Sequence, residues 1–236
     1  MDTLGLVDKN NLSLWNSLIK EYEIKIKKEK RNDYGVFSIN NSSTIYVPIN
    51  NINSVSFTHE LLHIWLRKKE VYIGASIKNS INDNKLISYV FSDELVEHIG
   101  NTLDHIKMLP EYIKLGYPIE LFITDYNGEK LTENEVLLLK KKFKPKGLLK
   151  KTYKKKYIDF FIGKYFAIAS CPNNSFDYKK RKEQLKNIDY ELFNILENFI
   201  NTWIEFDIDD KNNSYHILVF DFIDELETWI TAKQIN

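Results

Sequence analysis

The chain has 236 residues, enough to bury a sizeable core as one domain or as one domain with an appendage, and its 43% hydrophobic and 28% charged content is ordinary globular composition. Lysine plus arginine and aspartate plus glutamate number 33 each, so a net charge of zero gives the whole molecule no pull toward a polyanion. No run approaches the roughly 18 apolar residues of a membrane span, Met1-Asp2-Thr3 does not open a secretory signal, and the single Cys171 cannot form an internal disulfide, which together predict a cytoplasmic protein with no membrane partner.

Residues 11–30 predict an amphipathic helix, with Leu14, Trp15, Leu18, Ile19, Tyr22 and Ile26 at helical spacing. Residues 34–39 and 44–47 are β-prone and separated by Asn40-Asn41-Ser42-Ser43, a hairpin ended by Pro48. Helical patterns follow over 54–69 and 92–109, the second stopped by Pro110, with an Asn-, Ser- and Gly-rich loop between them. Residues 118–124 predict a strand, and Thr132 with Glu135 a capping box at the start of another helix. Beyond about residue 130 the reading is mainly helical, over 157–169, 177–206 and 221–233, with one β-prone run at 216–220. The expected fold class is α+β, mainly helical, with a small twisted sheet packed on the helices at 54–69 and 92–109 and a largely helical C-terminal region. The expected division is 1–128 and 129–236, and with no Gly/Ser linker between them the two parts can share one core.

Within the helix at 54–69 stands His59-Glu60-Leu61-Leu62-His63. Histidines four apart project from one helical face and can bind one Zn²⁺, while a glutamate beside the first can act on a bound water. His59, Glu60, His63 and Arg67 gather on one side of this helix, and Leu61, Leu62, Trp65 and Leu66 on the other, so it can bury one face and offer ligands from the opposite one. Catalytic zinc needs a third protein ligand. On the helix at 92–109, Leu95, Val96, Ile99, Leu103 and Ile106 mark the packing side and Glu94, Glu97, Asn101, Asp104 and His105 cluster away from it. Periodicity leaves Glu94, Glu97, His98 and His105 open as the third ligand.

These two elements resemble the ImmA/IrrE family of zinc metallopeptidases. Phe57-Thr58-His59-Glu60-Leu61-Leu62-His63, preceded by a short strand, looks like that family's metal-binding helix, and Glu97, Gly100, Asn101, Leu103, Met108 and Pro110 fall where its second helix carries the glutamate ligand and the residues after it. The resemblance covers roughly residues 35–112. Leu62 stands where the family commonly has glycine, and Gly100 where it has alanine. It implies one zinc ion held by His59, His63 and Glu97, and hydrolysis of a peptide bond in a protein substrate, a regulator in related systems.

The expected mechanism has Glu60 as general base on the zinc-bound water. His105 is the candidate donor to the oxyanion, and Asn101 the residue that would hydrogen-bond a ligand or its neighbour. The strand at 44–47 is a candidate edge for pairing with an extended substrate. Three other readings compete. A zinc hydrolase acting on another carbonyl would use the same ligands, and a zinc-binding protein without cleavage would have no chemical need of Glu60. A nucleic-acid-associated regulator would use residues 140–156, where ten lysines and no acid are interleaved with the aromatics Phe143, Tyr153 and the adjoining Tyr157. The acidic run at 205–227, eight acids and one lysine, could neutralise that basic run within the molecule.

Overall fold

A computed structural model describes Thr3, residues 5–144 and residues 152–235. The fold is α+β and mainly helical, with a small mixed sheet. The chain forms two compact units, Met1–Tyr72 with Ile106–Tyr126 and Ile73–His105 with Asn127–Asn236.

The first unit opens with α1 (Leu12–Leu18), which ends much earlier than the helical spacing at 11–30 predicts; residues 23–29 form strand β1 (Glu23–Glu29) instead. The reason is visible in its period. Ile24 and Ile26 alternate with Glu23, Lys25 and Lys27, so a strand places both isoleucines on one face, and Ile24 is buried. Strands β2 (Gly35–Ile39) and β3 (Ser42–Pro48) make the expected hairpin, turning through Asn40 at φ 49°, a left-handed conformation that asparagine tolerates. The sheet order is β1-β3-β2, with β1 parallel to β3 (Glu23 opposite Ser42) and β2 antiparallel to it (Gly35 opposite Tyr46).

Helix α2 (Ser54–Lys68) packs on this sheet. Its Asn53 cap accepts from the Ser56 amide at 2.8 Å, and Arg67 and Lys68 suit the negative end of its dipole. Leu61 and Ile64 of α2 join Leu6, Trp15, Leu18, Ile24, Ile45 and Val47 in one core. A polar knot ties the N-terminal segment to α2: Asn11 Nδ2 donates to Thr58 Oγ1 (2.8 Å) and to the Leu6 carbonyl (2.9 Å), and Asp8 accepts from the Tyr117 hydroxyl (2.8 Å). Burial works against the Asp8 charge, but its bonds from Ser54, Tyr117 and the Asn11 and Asn10 amides outweigh it and hold the carboxyl below its ordinary value.

The second unit begins where the sequence predicts a loop, with α3 (Ile73–Asp83) and α4 (Lys85–Val90). Asn and Ser content hides Ile73, Ile77 and Ile81, spaced one helical turn apart and all buried, and Asn84 caps α4 by accepting from the Leu86 and Ile87 amides. Helix α5 (Asp93–Lys114) starts as expected but continues through Pro110. Proline removes one backbone donor and costs a helix interior about 3 kcal/mol; the turns around it repay this by burying Met108 and Tyr112 completely. The boundary between the units therefore falls inside α5, between His105 and Ile106. Residues 118–124 are not a strand: a single 3₁₀ turn, Ile119–Leu121, leads to buried Phe122.

Helices α6 (Glu133–Lys142), α7 (Lys155–Ala169), α8 (Tyr178–Ile188), α9 (Tyr190–Glu205) and α10 (Tyr215–Thr231) complete the second unit, α6 with both arms of the capping box at Thr132 and Glu135. The helical pattern over 177–206 is two helices, because Asp189 leaves helical geometry (φ −149°, ψ 103°), ends α8 and caps α9 through the Leu192 amide at 2.9 Å. The β-prone run at 216–220 lies within α10, where a 3.6-residue period buries Tyr215, Val219, Phe222 and Ile223 together. Aromatics fill the interior of this unit, with Phe199 stacked on Phe222 (ring centres 4.0 Å apart) and Trp203 donating to the Leu103 carbonyl (2.9 Å). No helix among the described residues is long and apolar enough to cross a membrane.

Candidate metal centre

His59 and His63 stand one turn apart on α2, and their ring centres lie 5.3 Å apart at 64°. One ligating atom from each of His59, His63 and His105 lies within 4.8 Å of the other two. His105 comes from the middle of α5, whose course through Pro110 carries the following turns into the first unit. Three imidazoles on two helices are a donor set that Zn²⁺ accepts, and three protein ligands leave a position open.

The electrostatics suit a cation. The His59 imidazole is pulled down to about 3, first by burial and then by His63, against an opposing hydrogen bond to the Phe122 backbone. It is therefore neutral across the physiological range, the form that ligates a metal. Such a ring-to-carbonyl bond also fixes the tautomer and orientation of a ligating imidazole. Phe122 packs against the His59 ring at 5.0 Å, and Tyr112 meets Phe122 edge-on, also at 5.0 Å. Glu60 is only 8% exposed, and burial raises its carboxyl above the ordinary range while His63 and Arg31 pull it back. A buried carboxyl under the influence of the His63 imidazole is a candidate group for proton transfer.

The other expected positions lie elsewhere. Glu97 is not a member of the histidine group; its side chain is 71% exposed and sits 3.6 Å from the Lys78 ammonium of α3. The helix accounts for this: eight positions at 1.5 Å each separate Glu97 from His105 by about 12 Å along the axis, so one ion cannot be reached from both. Glu94 is exposed, and a His98 ring nitrogen lies 3.1 Å from the Gly163 carbonyl. Asn101 is exposed, one turn before His105. Strand β3 cannot receive a substrate backbone, because β1 and β2 occupy both of its edges. The open edges belong to β1, carrying Lys25, Lys27 and Lys28, and to β2, where Phe37 and Ile39 are exposed.

Sequence reasoning did not find Phe122, Tyr112 or Arg31. They come from a 3₁₀ turn, from beyond a helix-breaking residue and from a strand connection, and no local pattern links such residues to the motif. Of the basic run, Lys146, Lys150 and Lys151 lie outside the described residues, while Lys140, Lys141 and Lys142 are exposed on α6. No family model, curated protein or solved structure matches the chain.

Proposed function

We propose that this chain is a zinc-dependent metallopeptidase that holds one Zn²⁺ through His59, His63 and His105 and uses Glu60 as general base. The convergence of three imidazoles beside a buried glutamate is the observation that carries this reading. Bound zinc would supply a Lewis acid that activates water and polarises a scissile carbonyl. Glu60 takes the proton from the attacking water and returns it to the leaving amine, a role suited to its buried position beside the motif histidines. As a ligand, His105 would be engaged on the metal and would not serve as the oxyanion donor. Strand β2, which packs on α2, is the edge on which an extended substrate would lie, with Phe37 and Ile39 offering apolar contact to alternate side chains. The likeness to ImmA/IrrE peptidases supports the two histidines and the base. It does not extend to the third ligand, where histidine replaces the glutamate that the likeness implies.

Metal analysis tests the assignment. Wild type should carry about one zinc per chain, lost in His59→Ala, His63→Ala and His105→Ala and kept in Glu97→Ala. Glu60→Gln should keep zinc and lose about 10²–10⁴-fold in peptide hydrolysis. A wild-type chain without zinc ends the proposal; zinc lost from Glu97→Ala but kept by His105→Ala returns the third ligand to Glu97.

A further inference from the structure

The acidic run that the metal centre does not use has a structural setting. Between α9 and α10 lies a cavity of about 480 Å³ lined by Ile195, Trp229 and Ala232 together with the carboxylate-bearing Glu191, Asp224 and Glu225. Lys233 neutralises Glu191, but Asp221, Asp224 and Glu225 are exposed and make no ion pair among the described residues. The same surface of α10 continues one turn earlier to Phe220 and Ile217, exposed by 59% and 57%. Ile217, Phe220, Asp221 and Asp224 share one helical face, so α10 shows solvent a stripe that is apolar and anionic at once.

Helix α6 carries the complementary face. Val136 and Leu139 take its core positions, which leaves Leu137 and Leu138 exposed by 53% and 40%, next to Lys140, Lys141 and Lys142. None of these lysines makes an ion pair among the described residues. Helix α6 packs on α7 and α8, whereas α10 packs on α3, α4 and α9, so each surface has its own supports. Adjacent exposed leucines in a ten-residue helix, and an exposed Phe and Ile above an apolar slot, are surfaces of the kind that mark interaction sites.

We propose that the chain self-associates by docking α6 of one copy across the α9–α10 groove of another, with Leu137 and Leu138 against the apolar floor and Lys140, Lys141 and Lys142 against Asp221, Asp224 and Glu225. The mode is helix-in-groove recognition, with apolar anchors for affinity and opposite charges for register. Zero net charge on the chain removes the overall repulsion that would oppose association of identical copies. No zinc is required, so the prediction stands or falls separately from the peptidase reading.

Light scattering on the eluting 236-residue chain tests it. Wild type should rise above the 28.0 kDa monomer mass with concentration and return toward it in high salt. A groove variant, Asp224→Lys with Glu225→Lys, and a helix variant, Lys141→Glu with Lys142→Glu, should each stay at 28.0 kDa where wild type associates. Mixed in equal amounts they should associate again, because each reversed surface then meets its reversed partner. Circular dichroism checks that both variants are folded, and Leu137→Gln, which changes no charge, should weaken association independently. His59→Ala should associate like wild type. A wild type that is monomeric at every concentration, variants that associate unchanged, or a mixture that fails to recover would each overturn the proposal; a groove variant that loses only its binding to some other basic protein would do so as well.

Discussion

His59 and Glu60 are neighbours whose titrations burial displaces in opposite directions, and the metal-free protein should show this in its stability. The folded His59 ring titrates at about 3 rather than its ordinary 6.5, so between those values the unfolded chain binds the extra proton and stability falls as the pH is lowered through that window. Glu60 acts with the opposite sign. Its folded pKa is raised above 4.5, so the folded state holds the extra proton just above that value and stability falls as the pH rises there. Urea unfolding of chelator-treated protein should give a pH slope below 6.5 that drops by about one proton in His59→Leu; an unchanged slope would show that His59 is not buried neutral. Tyr112 supplies a second residue-scale prediction. Its hydroxyl is fully buried without a hydrogen-bond partner among the described residues, which costs about 1–3 kcal/mol. Tyr112→Phe should therefore leave stability unchanged or raise it. Tyr165→Phe should lower it, since the Tyr165 hydroxyl donates to Glu197.

At the scale of elements, α3 and α5 cross so closely that a Cβ on Gly100 would lie 2.9 Å from the Gly74 Cα. Gly100→Ala should thus destabilise by about 1–3 kcal/mol in denaturant melts, although alanine is the better helix former. A neutral result would mean that the helices separate freely. The break between α8 and α9 depends on Asp189, which caps α9 and also accepts from the Tyr153 hydroxyl (2.9 Å) and the Trp229 indole (3.3 Å). Asp189→Ala should cost more than Thr132→Ala, which removes an ordinary cap worth about 1 kcal/mol, because it also strands two buried donors. Equal losses would show that those two bonds contribute little. These elements also mark the limit of sequence reading. The capping box and the β2–β3 hairpin were legible because side chains within four residues of each other decide them. Strand β1 and helix α3 carry short-range periods that the helical spacing running on from α1 and the Asn and Ser content mask, whereas the continuation of α5 past Pro110 goes with the burial of Met108 and Tyr112, which no local pattern announces.

For the whole molecule, a metal that binds only the folded chain must stabilise it by mass action, by about 2.7 kcal/mol at a free concentration one hundred times Kd. Added zinc should raise the thermal midpoint of wild type and of Glu97→Ala but not that of His105→Ala, and a chelator should reverse the gain. A midpoint indifferent to zinc would remove the proposed metal centre. The sequence by itself determined what neighbours in the chain control: the mainly helical α+β class, the helix bearing His59, Glu60 and His63, its apolar back and the capped start of α6, all short-range periodicities. Tertiary structure alone decided the partner of the histidine pair. Glu97 and His105 lie on the polar side of the same predicted helix, and periodicity treats them alike. Of the two, only His105 has a ligating atom within 4.8 Å of those of His59 and His63, because position along a helix axis relative to residues distant in sequence is a coordinate that a helical repeat does not contain.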